Sequence, residues 1–258
     1  MHSDLDLACS LARDAGNLLL QVRQRPGLRG EALGRAGDLE ANEQILASLH
    51  RSRPQDAVLS EESADSPARL DAARVWIIDP LDGTREFIEP GRTDWAVHIA
   101  LWERGHGLRT CAVSMPATDE LYTTTTTTVT TTLAVPISRP ISRPTRIVVS
   151  ESRPPEFIEH LCAHMNASKS VLGSAGAKTM AVVRGDADAY VHAGGQWEWD
   201  SAAPVGVARA AGLWCSRLDG SELIYNQPHP YLPDLVICRP DLAAELLDGL
   251  AVVTASSP

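Results

Sequence analysis

Apolar residues recur at helical spacing near the start of the chain: Leu5, Cys9, Ala12, Ala15, Leu18, Leu19 and Val22. That is the period of one helix face, so 4–23 reads as an amphipathic helix with Ser3 as its cap. Pro26-Gly27 and Gly30 mark a loop, and 34–37 reads as a glycine-rich connector. Asp38 then heads a second helix, with Ile45, Leu46 and Leu49 inward, which 51–54 brings to an end. Beyond this point the period changes. Ala57-Val58-Leu59 is a short apolar run, and Trp76-Ile77-Ile78 reads as the end of a buried strand. Over 94–102, Trp95, Val97, Ile99 and Leu101 alternate with smaller or polar residues, the mark of a half-buried strand. Gly105 and Gly107 turn into a partner over 108–115, and 120–122 begins a third antiparallel strand.

The alternation breaks at 123–132, which is threonine throughout except for Val129. Ile-Ser-Arg-Pro then occurs twice, at 137–140 and 141–144. This is low-complexity sequence, part of it able to extend a hairpin and the rest a surface linker. It sets a boundary between two lobes, 1–145 and 146–258. In the second, 146–150 reads as a strand and 156–165 as a helix. The run Gly-Ser-Ala-Gly-Ala-Lys at 173–178 leads into a helix with Met180, Ala181 and Val183 inward. A short strand at 188–192 is followed by Gly194-Gly195, a flexible approach to Trp197-Glu198-Trp199-Asp200. A small-residue helix at 201–211, a hairpin turn at Asp219-Gly220, a strand at 235–238 and a terminal helix at 242–252 complete the pattern.

The 258 residues are 44% hydrophobic, enough for a sizeable core in one large domain or two lobes. A net charge of −10 argues against a nucleic-acid surface but not against a small phosphorylated ligand held through metal. Five scattered cysteines without a CxxC pair read as reduced thiols of a cytoplasmic protein. Asp4 and Asp6 leave no signal-like start, and no apolar run approaches the roughly 20 residues of a membrane span. A homodimer is compatible with the sequence. His98 and His106 show no ligand spacing and read as structural or solvated.

The candidate chemistry lies at the strand end. Asp79-Pro80 stops the strand, Asp82-Gly83 turns the chain, and Thr84 caps the next helix or turn. The two carboxylates repel at close range, and a hard cation such as Mg2+ relieves that repulsion. A plain loop explains this stretch equally well in isolation. Glu61-Glu62 after one apolar run, and Trp199-Asp200 before an Ala-rich helix, add two more acidic clusters at element ends. Together the three suit a multi-metal phosphate site. Lys178 is one of only two lysines, with Lys169, and it stands near a glycine-rich helix start. It reads as an anion contact or as a solvated surface charge.

Ser60-Glu61-Glu62-Ser63, then Asp79-Pro80-Leu81-Asp82-Gly83-Thr84 with Phe87, then Trp199-Asp200-Ser201-Ala202-Ala203, together resemble the inositol monophosphatase-like superfamily of Mg2+-dependent, lithium-sensitive phosphomonoesterases. Within it, 76–78, 85–87, 173–178 and 194–200 are similar to the CysQ-type 3'(2'),5'-bisphosphate nucleotidases of sulfur metabolism. The resemblance implies an α/β (α+β) layered αβαβα sugar-phosphatase fold with the site between two lobes. It makes Glu61, Asp79, Asp82, Asp200 and the Leu81 carbonyl ligands to Mg2+. Asp38 and Thr84 would activate water, and the Gly83 and Thr84 N–H groups would meet the phosphate. Ser174, Lys178 and Asp200 would be substrate contacts. From their place beside Gly194-Gly195, Trp197 and Trp199 read as packing in the core or as flanking an adenine. The implied reaction takes the 3'-phosphate from adenosine 3',5'-bisphosphate; inositol 1-phosphate and fructose 1,6-bisphosphate are alternative substrates. A non-enzymatic metal-dependent binding protein is the alternative of another class. A haloacid-dehalogenase reading fails on spacing, since its aspartates stand two apart and Asp79 and Asp82 three. The chain departs from the family before the second helix, where only Asp38 matches. Its 173–178 run is one residue longer than in some relatives, and the Thr run matches no family element.

Overall fold

The computed structural model describes residues 3–124 and 144–255. Helix α1 (Asp4–Arg23) starts as its capping residues require. The Ser3 hydroxyl accepts from the Asp6 N–H at 3.1 Å, and the Asp6 carboxylate accepts from the Ser3 N–H at 3.2 Å. Helix α2 (Gly30–Ser52) begins eight residues before Asp38, so the expected connector at 34–37 is helical. Close packing explains it. A Cβ on Gly34 would lie 2.8 Å from Thr84 Cγ2, and one on Gly37 3.0 Å from both Leu81 and Phe87. The glycines let the helix approach the strand end, and that contact outweighs their poor helix propensity. Asp38 is therefore mid-helix.

The first sheet runs β1 (Ala57–Ser60), β2 (Arg74–Asp82), β3 (Ala96–Glu103), β4 (Gly107–Met115), β5 (Glu120–Thr123), in that spatial order. Only β1 and β2 are parallel. Strand β2 does not stop at Asp79-Pro80. It continues to Asp82 through a register shift, with Asp79 opposite His98 and Asp82 opposite Ala96. On the other side the last β1 pair is Ser60 with Ile78. Pro80 thus falls where neither neighbour needs its missing N–H. The short helix α3 (Thr84–Ile88) comes next.

The second sheet has the order β7-β6-β8-β10-β9, from β6 (Arg146–Ser150), β7 (Ser168–Leu172), β8 (Ala189–Trp197), β9 (Trp214–Ser216) and β10 (Tyr231–Cys238). Strands β6, β7 and β8 are parallel, and β10 and β9 antiparallel. Strand β8 extends past the expected 188–192 and includes Gly194-Gly195, which form an irregularity within the strand, between the Gln196–Leu232 and Ala193–Asp234 pairs, rather than a loop leading up to Trp197. Asp219-Gly220 makes a local turn inside the longer 217–230 connection, with the Gly220 N–H donating to the Arg217 carbonyl, and not a two-residue hairpin.

Three apolar clusters order the layers. Helices α1 and α2 pack on the face of the first sheet that carries Trp76, Ile78, Val97 and Ile99. Its other face, with Ile77, Ala96 and Ala100, meets α5 (Ala175–Arg184) and α6 (Glu198–Ala210), which also cover Val148, Tyr190 and Ile237 of the second sheet. Helices α4 (Ile158–His164) and α7 (Ala243–Ala255) close the far side. The result is the αβαβα layering. Among the described residues no helix is long and apolar enough to cross a membrane. The low-complexity segment expected at 123–144 falls almost wholly outside the described residues; Thr123 ends β5.

Candidate active site

Parallel pairing brings the ends of β1 and β2 to one edge of the first sheet, which delivers Glu61 beside Asp79 and Asp82. The Glu61 N–H donates to the Ile78 carbonyl at 3.3 Å and extends the pairing by one step. Helix α6, lying between the sheets, brings Asp200 in on its first turn. Asp79, Asp82 and Asp200 each offer a carboxylate oxygen, all within 4.8 Å of one another. Asp79 is 1% exposed, and Glu61 stands at the open rim.

The fold treats these charges unequally. Burial, and then the charges of Glu61, Asp82 and Asp200, raise Asp79 well above the usual carboxylate range. Crowding by protein atoms, then Asp200, pushes Glu61 up to about 8. Asp200 rises to about 6, through burial and Asp82, although its carboxylate accepts from the Trp197 N–H at 2.5 Å. Asp82 goes the other way. Burial alone would raise it, but His98, Lys178 and the Ser174 hydroxyl outweigh burial and hold it at about 2. Its carboxylate also accepts from the N–H groups of Ala175 (3.2 Å) and Gly176 (2.7 Å) at the start of α5. The donors here are all oxygen, and in three of the four carboxylates burial and like charge outweigh every favourable contact. That donor set fits a hard divalent cation.

Thr84 Oγ1 lies 3.3 Å from Asp38 Oδ1 and 3.3 Å from the Leu81 carbonyl. Burial and the charge of Glu62 push Asp38 up to about 7, against the hydrogen bond from Thr84. Asp38 reaches this position because the glycine-lined face of α2 lies against Thr84. Gly83 has φ +90°, and a Cβ there would meet Ser174 Cβ at 3.0 Å and the Asp94 carbonyl at 3.2 Å. The structure thus brings Asp38, Leu81, Gly83 and Thr84 to the edge of the acidic cluster.

Two sequence-predicted contacts are placed otherwise. Ser174 caps α5, accepting from the Ala177 N–H at 2.9 Å, and its hydroxyl donates to Asp82. Both its functions are used inside the protein. Lys178 is 2% exposed, neither solvated nor facing the cleft. Its ammonium donates to the carbonyls of Gly173, Ser174 (2.8 Å) and Leu172 (3.5 Å) and lies 5.4 Å from the Tyr190 ring centroid. Burial lowers it to about 8 despite the nearby Asp82.

Two residues near the cluster were not expected there: His98, read from the sequence as structural or solvated, is structural, and Arg153 was not singled out. His98 is 1% exposed, with Nε2 3.2 Å from Asp82 and Nδ1 3.2 Å from the Trp199 carbonyl, so it ties β3 to the start of α6. The signal was present: His98 stands between Ala96 and Ala100 on the alternating face that packs on α6. A Cβ on Gly176 would lie 2.3 Å from its Nε2. Arg153, in the turn after β6, is exposed and forms no ion pair among the described residues. Its charge is felt by Asp200, Tyr190 and His192. Nothing in the run Ser150-Glu151-Ser152-Arg153 marks it as close to Asp200.

The model of the inositol monophosphatase family matches residues 1–250. A 3'-phosphoadenosine 5'-phosphate phosphatase of Mycobacterium leprae is 52% identical over 255 residues, covering 95% of this chain and 92% of that protein. The 3'(2'),5'-bisphosphate nucleotidase CysQ of Salmonella typhimurium is 31% identical, covering 88% and 96%. The crystal structure of inositol monophosphatase II from Staphylococcus aureus superposes with a TM-score of 0.80 at 20% identity, over 94% of this chain and 91% of that one.

Proposed function

The chain belongs to the inositol monophosphatase family, and from that premise we propose that it is a Mg2+-dependent phosphatase that removes the 3'-phosphate of adenosine 3',5'-bisphosphate to give AMP and inorganic phosphate. The observation that carries the substrate is the 52% identity, over nearly the full length of both chains, to a protein named for that activity. Asp79, Asp82 and Asp200 would hold the cation, with Glu61 and the Leu81 carbonyl as further ligands. A bound divalent cation supplies charge stabilisation to the phosphoryl group and a lowered pKa to water.

The chain's own residues do the rest. Thr84 takes the hydrogen bond of the attacking water and passes its own proton toward Asp38, whose raised pKa suits it to accept one near neutral pH. The Gly83 and Thr84 N–H groups orient the phosphate. Ser174 and Lys178 keep Asp82 ionised and fixed instead of touching substrate. Arg153 meets the second phosphate, which the acidic cluster would otherwise repel; its exposure and unpaired charge support this. We assign the reaction to the cytoplasm, where five unpaired thiols are stable. The halves 1–145 and 146–258 act as the two lobes of the site.

The test is phosphate release with Mg2+ from adenosine 3',5'-bisphosphate, inositol 1-phosphate and fructose 1,6-bisphosphate. The nucleotide should show the highest kcat/KM, and a preference for inositol 1-phosphate would overturn the assignment. Arg153→Ala should raise KM about tenfold on bisphosphates, in line with a lost charge-assisted contact, and much less on adenosine 3'-monophosphate, which keeps the scissile phosphate and lacks the second one. An equal loss on both would remove Arg153 from the site.

A further inference from the structure

Exposed rings gather beside Asp200, and the acidic cluster does not account for them. Trp197 is 40% exposed and Tyr231 44%, and His229 is exposed as well. Trp197 stacks on half-buried Trp199 with ring centroids 5.4 Å apart and planes at 15°. Tyr231 meets Trp197 edge-on at 5.6 Å and 78°, and His229 lies 5.7 Å from it. Apolar rings left in water forgo burial, so a cluster of them beside the acidic residues points to something that covers it.

The fold holds this cluster still. Trp197 and Tyr231 are paired across β8 and β10. Gly195 is bare where a Cβ would fall 2.0 Å from Tyr231 Oη, which lets the phenol lie over the strand. The buried Glu198 carboxylate accepts from the N–H groups of Asn226 (2.6 Å) and Gln227 (2.8 Å). The Glu198 N–H donates to the Pro230 carbonyl at 2.9 Å. These bonds pin the segment that carries His229. The Trp197 N–H is itself bonded to the Asp200 carboxylate, so the platform is fixed to the acidic cluster.

We propose that Trp197, backed by Trp199 and bracketed by Tyr231 and His229, is the stacking platform for the substrate's nucleobase. The inference rests on the nucleotide reading above. A base has a flat π face whatever its hydrogen-bonding edge, and an indole already held by its neighbours loses little freedom on binding it. Trp199 does the packing, and Trp197 presents the open ring.

The experiment compares adenosine 3',5'-bisphosphate with ribose 3,5-bisphosphate, which carries the same phosphates and no base. Wild type should prefer the nucleotide by about 10- to 100-fold in kcat/KM, as stacking on one aromatic side chain predicts. In Trp197→Ala that preference should fall to within about threefold of unity, through KM. Trp197→Phe should recover most of it. Equal losses on both substrates, or an undiminished preference, would overturn the proposal. Trp197→Leu keeps apolar bulk without the π face and replaces the alanine variant if that one unfolds. A wild type inactive on the nucleotide would overturn the proposed reaction instead. The platform is then read by calorimetric titration with AMP against ribose 5-phosphate, where only wild type should favour AMP.

Discussion

Asp79 and Asp82 are three residues apart on one strand and are both buried, but they are held in opposite ways. Asp79 faces other carboxylates, whereas Asp82 faces His98, the Ser174 hydroxyl and two N–H groups of α5. The same substitution therefore has opposite effects on the cation-free fold. Asp79→Asn should leave melting unchanged or raise it, because a repelled carboxylate is replaced by a neutral group. Asp82→Asn should lower stability by about 1–3 kcal/mol, since it breaks bonds that join β2 to α5. Both should lose turnover by about 10³-fold, as removal of charge stabilisation worth several kcal/mol implies. Melting in chelator and phosphate release in Mg2+ check the two halves. Thr84→Val and Asp38→Asn should each cost roughly 10²–10⁴-fold in turnover. The double variant should be little worse than either, and independent multiplying defects would break the Thr84–Asp38 couple. The acidic residues were legible because three acidic clusters recur at element ends, although a plain loop explains the Asp79–Thr84 stretch in isolation. Lys178 was misread because a sequence displays a charge without its burial. Lys178→Ala should accordingly reduce stability and slow all substrates alike, and a loss confined to bisphosphates would restore it as a contact.

At the scale of elements, small residues decide where helices lie. Gly206 of α6 faces β4, and a Cβ there would fall 2.2 Å from Cys111 Sγ. Gly206→Ala should lower stability by about 1–3 kcal/mol through overpacking. Adding Cys111→Ala should recover part of that loss, because it removes the clashing sulfur; denaturant midpoints of the three variants give the coupling. The same packing explains what the sequence hid. A pattern of glycines at 34–37 reads as a connector unless their approach to Thr84 and Leu81 is known, so the start of α2 was invisible. Strand β7, Ser-Lys-Ser-Val-Leu, is exposed at a sheet edge and carries no alternation to betray it. Pro80 looked like a strand end because its tolerance depends on a register shift and on where β1 stops. Helix α1, β3, β4 and β6 were legible within a few residues, since each buries one clear face.

At the scale of the whole molecule, Glu61, Asp79, Asp82 and Asp200 stand close enough to shift one another's titration, with Asp38 acting on Glu61. No candidate ligand lies in 125–143, so shortening 125–132 should leave kcat/KM within a few-fold, and abolished activity in a folded variant would assign that segment to the site. The larger consequence concerns pH. Asp38 at about 7, Glu61 at about 8, Asp200 at about 6 and the raised Asp79 all hold protons more tightly folded than unfolded, where carboxylates titrate near 4. Between about pH 4 and 8 the folded state thus binds more protons than the unfolded one, and stability falls as pH rises through these folded values. Asp82 has the opposite sign, but its contribution is lost only as pH drops from about 4 toward 2, below this window. The cation-free protein should therefore melt highest near pH 5 and lose stability steadily toward pH 8. A divalent cation supplies the positive charge that those carboxylates lack, so it binds their ionised forms and flattens the slope. The rise in melting temperature on adding Mg2+ should be small at pH 5 and grow to pH 8. Melts with Mg2+ and with chelator at four pH values measure it. A cation-free protein that gained stability toward pH 8, or a Mg2+ shift that shrank with pH, would show that the acidic cluster is not a metal site held together by its ligand.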